Sequence, residues 1–202
     1  MSATTTIFSP LTLPCGRTLP NRLVKVAMYE HLAHILGGPP TDLHLALYEQ
    51  WAKHNWGMVF TGNVQVSATH LTLGRDMLVP TSLDQSSVEP FRKLAKTIHS
   101  HESTVAIMQL NHSGRQSSNI LGGRWPFQSP LAPSPIPVRP KSSSVVSKLF
   151  HWLLFQRPQE MNCEDIEEVV EAFVKGAQLA HLSGFDGIEL HVAHGCTFSK
   201  PA

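Results

Sequence analysis

Charged side chains are scarce. Asp, Glu, Lys and Arg make up 15% of the 202 residues, and 16 basic groups stand against 15 acidic ones. A balance that even, with no basic stripe, argues against nucleic acid or an anionic membrane as partner. Cysteine is sparse too. Cys15, Cys163 and Cys196 form an odd, scattered set, which argues against a disulfide framework and for a reducing, cytoplasmic setting. The N-terminus lacks a charged segment followed by an apolar run, so no signal peptide is expected. No apolar stretch is long enough to span a bilayer. No strand-like run leads into Gly-x-Gly-x-x-Gly or Gly-x-x-x-x-Gly-Lys, which disfavours a Rossmann or P-loop nucleotide site. What is there is a globular composition, 42% hydrophobic with a mean hydropathy of -0.07, long enough for one domain with a real core.

Read in order, residues 7–20 form a short hairpin with Cys15-Gly16-Arg17 as its turn. Residues 22–28 are a first buried strand. Thr41 or Asp42 caps a helix reaching about Asn55, with Leu43, Leu47, Tyr48 and Trp51 as its apolar face. Met58 to Thr61 is a second strand, followed by a polar loop to about Ser87. Val88 to His101 is a helix with Pro90 in its first turn, and Thr104 to Leu110 is a third strand. Residues 111–160 are irregular and rich in Ser, Pro and Gly, a length that in a compact domain marks function or disorder. Within them the apolar run Leu149–Phe155 reads as packing rather than as a lid or partner surface. Asn162 and Asp165 then make a variant of the capping box. The helix they open has Ile166, Val169, Val170, Phe173, Val174, Ala177 and Ala180 in period and stops at Gly184.

Gly184 to Gly195 is the stretch around which the chain is organised: a glycine stop, a short buried strand, then His191 and, one loop step on, His194. Reactive residues collect at such strand ends in parallel α/β folds. Three readings stay open from the residues alone: a hydrogen-bonded structural histidine, a metal site lacking its third ligand, and a catalytic pair. Continuous apolar strands alternating with amphipathic helices predict a parallel sheet covered by helices. The order β-α-β-α-β-α-β after the hairpin, with distinctive residues at every strand end, predicts a (β/α)8 TIM-barrel type of α/β fold.

The stretches Leu19-Pro20-Asn21-Arg22-Leu23-Val24, Thr61-Gly62-Asn63-Val64, Gln109-Leu110-Asn111-His112-Ser113-Gly114-Arg115, Ala132-Pro133-Ser134 and Gly184 to Gly195 together resemble the Old Yellow Enzyme family. These are FMN-dependent NAD(P)H:flavin oxidoreductases and ene-reductases. The resemblance implies FMN as cofactor, NADH or NADPH as reductant, and an activated alkene as small-molecule substrate, with a homo-oligomer left open. It implies that Ala27, Met28 and Tyr29 lie along the flavin ring. Asn63 and Gln109 would meet the pyrimidine edge, where an amide offers both donors and acceptors. His191 and His194 would bind the oxygen of the substrate's activating group. No metal is expected.

Two departures from the family pattern stand out. Tyr29 occupies the place where the family commonly has Thr or Cys. Cys196 stands where it has a proton-donating tyrosine, and the match ends over 197–202. Four recognisable strands, against the eight of a full barrel, lead to the expectation that residues 1–202 are the N-terminal domain of such an enzyme, about half a barrel. A non-catalytic half-barrel is the alternative reading.

Overall fold

The computed structural model describes residues 6–100, 103–138 and 144–197. The expected hairpin is present: β1 (Leu11–Thr12) pairs antiparallel with β2 (Thr18–Leu19). Four strands follow as a parallel sheet in chain order, β3 (Val24–Lys25), β4 (Met58–Gln65), β6 (Val105–Asn111) and β9 (Gly187–Leu190). A short β5 (Met77–Leu78), inside the segment expected to be a polar loop, extends the sheet beside the end of β4. Helices α1 (Asp42–Ala52), α2 (Gln85–Ile98) and α4 (Cys163–Ser183) link successive strands. The segment after β6 holds β7 (Leu131–Ala132), which pairs with β8 (Gln159–Glu160), and helix α3 (Val145–Leu154).

Local chemistry sets the helix ends. In α1 the Thr41 N–H donates to His44 Nδ1, three residues on. Asp84, rather than a residue near Val88, opens α2 by accepting the Ser87 N–H. Pro90 therefore lies inside the helix and not in its first turn. Of the expected end of that helix, His101 lies outside the described residues. Asn162 and Asp165 cap α4 reciprocally, and Gly184 closes it at a φ of 83°, the left-handed conformation that glycine adopts without penalty.

The sheet divides the interior in two. On its outer side Val59, Val64, Ala106, Met108 and Leu110 pack against Tyr48, Phe91, Leu94, Phe173 and Leu179 of the helices. On its inner side Val105 and Ile107 meet Leu19, Leu11, Leu13, Met58 and Phe60, so the hairpin plugs the end where the strands begin. Among the described strands, β6 alone is buried along its whole length. The outer strands correct the expectation of buried runs. In β3 and the residues just after it, Lys25 is buried, while Val24, Val26 and Met28 are exposed. Lys25 Nζ reaches the Phe60 carbonyl at 3.0 Å and lies 3.8 Å from the Trp51 ring centre, and burial lowers its pKa to about 8. In β9, Ile188 and Leu190 are half-exposed. On the helices, Leu43, Ile166, Val170 and Val174 face outward, and His44, not Leu43, joins the buried side of α1. The run Leu149–Phe155 is not packing either: α3 has no buried residue.

Asp186, at the start of β9, ties the plugged end together. It accepts from the Ala106 N–H (2.7 Å) and His99 Nε2 (2.8 Å), and it pairs with Arg17 of the hairpin (2.6 Å). Burial works to raise its pKa, but the His99 and Ala106 hydrogen bonds and the nearby positive charge outweigh that and leave it below the ordinary value. A folded-state pKa below the unfolded one contributes stability that is present above about pH 4 and lost as pH falls through the folded value. Asp186→Ala should cost about 1.5–3 kcal/mol at pH 7, with less further loss than the parent chain on acidification. Urea melts at pH 7 and pH 3 measure both; an equal acid dependence in the two proteins would refute the assignment.

Candidate functional site

The end of the sheet where the strands finish is polar, and one irregularity makes it so. Between Phe60 and Asn63 the register of β4 against β6 slips. Two residues, Thr61 and Gly62, face a single residue of β6, a bulge. The bulge is satisfied locally. Thr61 Oγ1 accepts the Gln109 N–H at 3.0 Å. The Gly62 N–H donates to Glu30 Oε1 and to the Tyr48 hydroxyl, both at 2.9 Å, and Tyr48 in turn donates to Glu30. A Cβ at Gly62 would stand 2.4 Å from the Met28 carbonyl oxygen, so glycine there lets the backbone of 27–28 lie against β4. Ala27 is half-buried beside it.

After the bulge Asn63 lies opposite Gln109, and Gln109 opposite Glu189. Alternation puts these three on the inner face with His191, two residues past Glu189. Gln109 is buried and donates through Nε2 to Glu189 at 3.2 Å. One step above, Asn111 donates to Gln65 (3.4 Å), and Gln65 donates to Asp76 (2.9 Å). Asn111 Oδ1 is a buried acceptor with no hydrogen-bond partner among the described residues. Tyr29 turns toward Asp76; burial, then that carboxylate, pushes its phenol well above the ordinary value.

His191 and His194 converge. His194 Nδ1 and His191 Nε2 are 3.2 Å apart, with ring centres 5.2 Å apart. The His191 N–H is held by the Leu110 carbonyl (3.0 Å), and the His194 carbonyl accepts from the Gln116 amide. Thr197 N–H donates to the His112 carbonyl at 3.1 Å. The loop after β9 is thus stapled to the loop after β6. Burial, then His194, lowers the His191 pKa, which keeps that ring neutral at neutral pH. Cys196 is buried, and burial raises its thiol to about 11 against a pull downward from an Asn111 hydrogen bond, so it carries a proton at neutral pH. Residues 198–202 lie outside the described residues.

The structure therefore brings Ala27, Met28, Asn63, Gln109, His191 and His194 to one end of the sheet, with Tyr29 turned to its neighbouring polar cluster. Sequence reasoning missed Glu189, Asn111 and Gln65. Glu189 was within reach, because a period of two from His191 puts it on the same face. Among the described residues no group of three or more His, Cys, Asp or Glu side chains is arranged to hold a metal ion. No helix among them is long and apolar enough to cross a membrane.

The profile of the NADH:flavin oxidoreductase / NADH oxidase family matches residues 6–200. The NADH-dependent flavin oxidoreductase iliE of Neonectria sp. (strain DH2) is 44% identical over 92% of this chain and 24% of that protein. A protein of the same name from Hypocrea jecorina (strain QM6a) is 37% identical, over 92% of this chain and 46% of its own length. The chain thus spans about a quarter to a half of the curated relatives it matches. Among solved structures, morphinone reductase superposes with a TM-score of 0.76 at 21% identity, over 95% of this chain and 49% of that one. The old yellow enzyme homologue from Zymomonas mobilis gives 0.74 at 19%, over the same shares. The sheet described here is accordingly part of a (β/α)8 barrel.

Proposed function

Because the chain belongs to the NADH:flavin oxidoreductase / NADH oxidase family, we propose that it carries the ring-binding and substrate-polarising side of an FMN-dependent oxidoreductase site. The reaction is hydride transfer from NADH or NADPH, by way of FMN, to an activated alkene. The observation that carries this reading is the convergence of His191 and His194 at the end of β9, on the face that also presents Asn63 and Gln109. The donor set fits the cofactor: two amides side by side in register offer donors and acceptors to a pyrimidine edge, with Met28 exposed beside them. FMN, when bound, supplies the redox chemistry, and the protein orients and polarises.

In this reading Ala27 and Met28 give main-chain contacts to the ring. Tyr29, turned to Asp76, stands next to that contact. Asn63 and Gln109 fix the ring's edge, and the Gln109–Glu189 hydrogen bond fixes Gln109. His191 and His194 each donate an N–H to the carbonyl or nitro oxygen of the substrate, where negative charge develops as hydride reaches the β-carbon. Reduced thiols at Cys15, Cys163 and Cys196 fit a cytoplasmic enzyme.

Titrating FMN into the protein and following the quenching of its fluorescence tests the assignment. Gln109→Ala should weaken binding about tenfold, the loss of one or two amide hydrogen bonds of about 1 kcal/mol each. Unchanged affinity in that variant, with the parent binding FMN, would remove Gln109 from the site. No binding by the parent would favour the non-catalytic reading.

A further inference from the structure

Helix α3 and the stretch around Trp125 and Phe127 form a surface that the flavin site does not use. Val145, Val146, Leu149, Phe150, Trp152 and Leu153 are all exposed, Val145 at 81% and Val146 at 79%. At about 3.6 residues per turn these six occupy one continuous side of the helix, and Ser147, Lys148 and His151 occupy the other. The helix is anchored at its C-terminal end by one residue, Asn119, through its backbone and its side chain. The Asn119 N–H donates to the Leu154 carbonyl (2.8 Å), its amide donates to the Leu153 carbonyl (3.1 Å), and its Oδ1 accepts the Phe127 N–H (2.5 Å). That arrangement sets the Phe127 ring 5.8 Å from the Trp152 ring. Trp125, two residues away, is 83% exposed.

The even charge of the whole chain hides a local excess. Between Glu102 and Glu160 there is no Asp or Glu, while Arg115, Arg124, Arg139, Lys141, Lys148 and Arg157 all fall there. Lys148 and Arg157 are exposed. Arg115 is buried and Arg124 is engaged by Thr69, Ser117 and Ser118, so among the described residues of this segment the surface joins an apolar helix side and exposed aromatic rings to the basic groups of Lys148 and Arg157. We propose that it seats on an anionic lipid bilayer, with α3 lying in the headgroup region and its apolar side toward the acyl chains. Interfacial helices have this composition, and juxtaposed Lys and Arg are drawn to anionic headgroups. A second copy of the chain fits less well. A two-fold contact through this face sets the same basic groups against each other. The exposed apolar side chains of α4 differ in charge: Val170 and Val174 share their helix with Glu164, Glu167, Glu168 and Glu171.

Co-sedimentation of the full chain with vesicles tests this. One set is phosphatidylcholine alone, and the other holds about one-third phosphatidylserine. The expected result is binding to the serine-containing vesicles at least about tenfold tighter than to phosphatidylcholine, weakened by added salt. Trp152→Glu and, separately, Val145→Glu should each reduce it at least about tenfold, and Lys148→Glu should shrink the preference for anionic lipid. Val174→Glu, on the acidic helix, should change nothing. These side chains are exposed, so circular dichroism of each variant should match the parent. Equal binding to both vesicle types, no binding to either, or parent-like binding by Trp152→Glu would each overturn the proposal. So would a concentration-dependent dimer that Trp152→Glu abolishes in a chain that ignores vesicles.

Discussion

In protein carrying FMN, His191→Ala should lower turnover of an activated alkene by about 10²–10³ and leave reduction of the flavin by nicotinamide within a few-fold of the parent. One donor to a developing oxyanion is typically worth that much. His194→Ala should do the same, because the two rings are hydrogen-bond partners 3.2 Å apart at the end of β9 and an oxygen that enters between them would take both donors. The double variant should therefore lose much less than the product of the two single losses, as groups acting as a unit do. His191, its pKa lowered by burial and by His194, stays neutral at neutral pH, so its ring serves the oxygen as a neutral N–H donor. Stopped-flow measurement of the two half-reactions separates the roles. Equal losses in both would show that the histidines hold the cofactor and not the substrate.

Phe91→Ala should destabilise the fold by about 3–5 kcal/mol, the usual cost of emptying a fully buried aromatic site. Phe91 is completely buried in the outer core, among residues of α1, α2, α4 and the sheet. Domains are stable by only about 5–15 kcal/mol in total, so this one substitution should bring the chain near its unfolding midpoint in low urea. Trp152→Ala offers the contrast. That ring is as large but more than half exposed, and its loss should stay within about 0.5 kcal/mol. Urea melts of the two variants decide the matter; a Phe91→Ala loss below about 1 kcal/mol would mean that the helices are not packed on the sheet as described.

The order of strands and helices was legible because buried β6 and amphipathic α4 write their periods plainly into the sequence. The caps at Asn162 and Gly184 were legible for the same reason: local chemistry fixes them. Other features depend on what lies across from a residue. Lys25 is buried because Trp51, Tyr48 and the Phe60 carbonyl surround its stem and ammonium, and nothing in Arg22–Met28 announces that. The apolar run Leu149–Phe155 reads as core because composition cannot tell a packed side from an unpartnered one. Charge counted over the whole chain concealed the acid-free segment in which that run lies. His191 and His194 were found from their place after a strand, and Asn63 and Gln109 from the resemblance alone. Nothing in the local sequence says that these two amides are neighbours across a bulged pair of strands.

That bulge leaves β4 with one place where a change of count can be absorbed. Upstream of it, even-numbered Met58 and Phe60 belong to the inner face; downstream, odd-numbered Asn63 and Gln65 do. The extra residue changes parity halfway along the strand. Removing Thr61 or Gly62 would leave one residue opposite Met108 and restore plain alternation, with Asn63 still facing Gln109. Removing Val64 instead would shift everything after Asn63 by one and turn Gln65 outward into the apolar layer of the helices. Over descent, a lost residue in this strand should be found at the bulge and not beyond it.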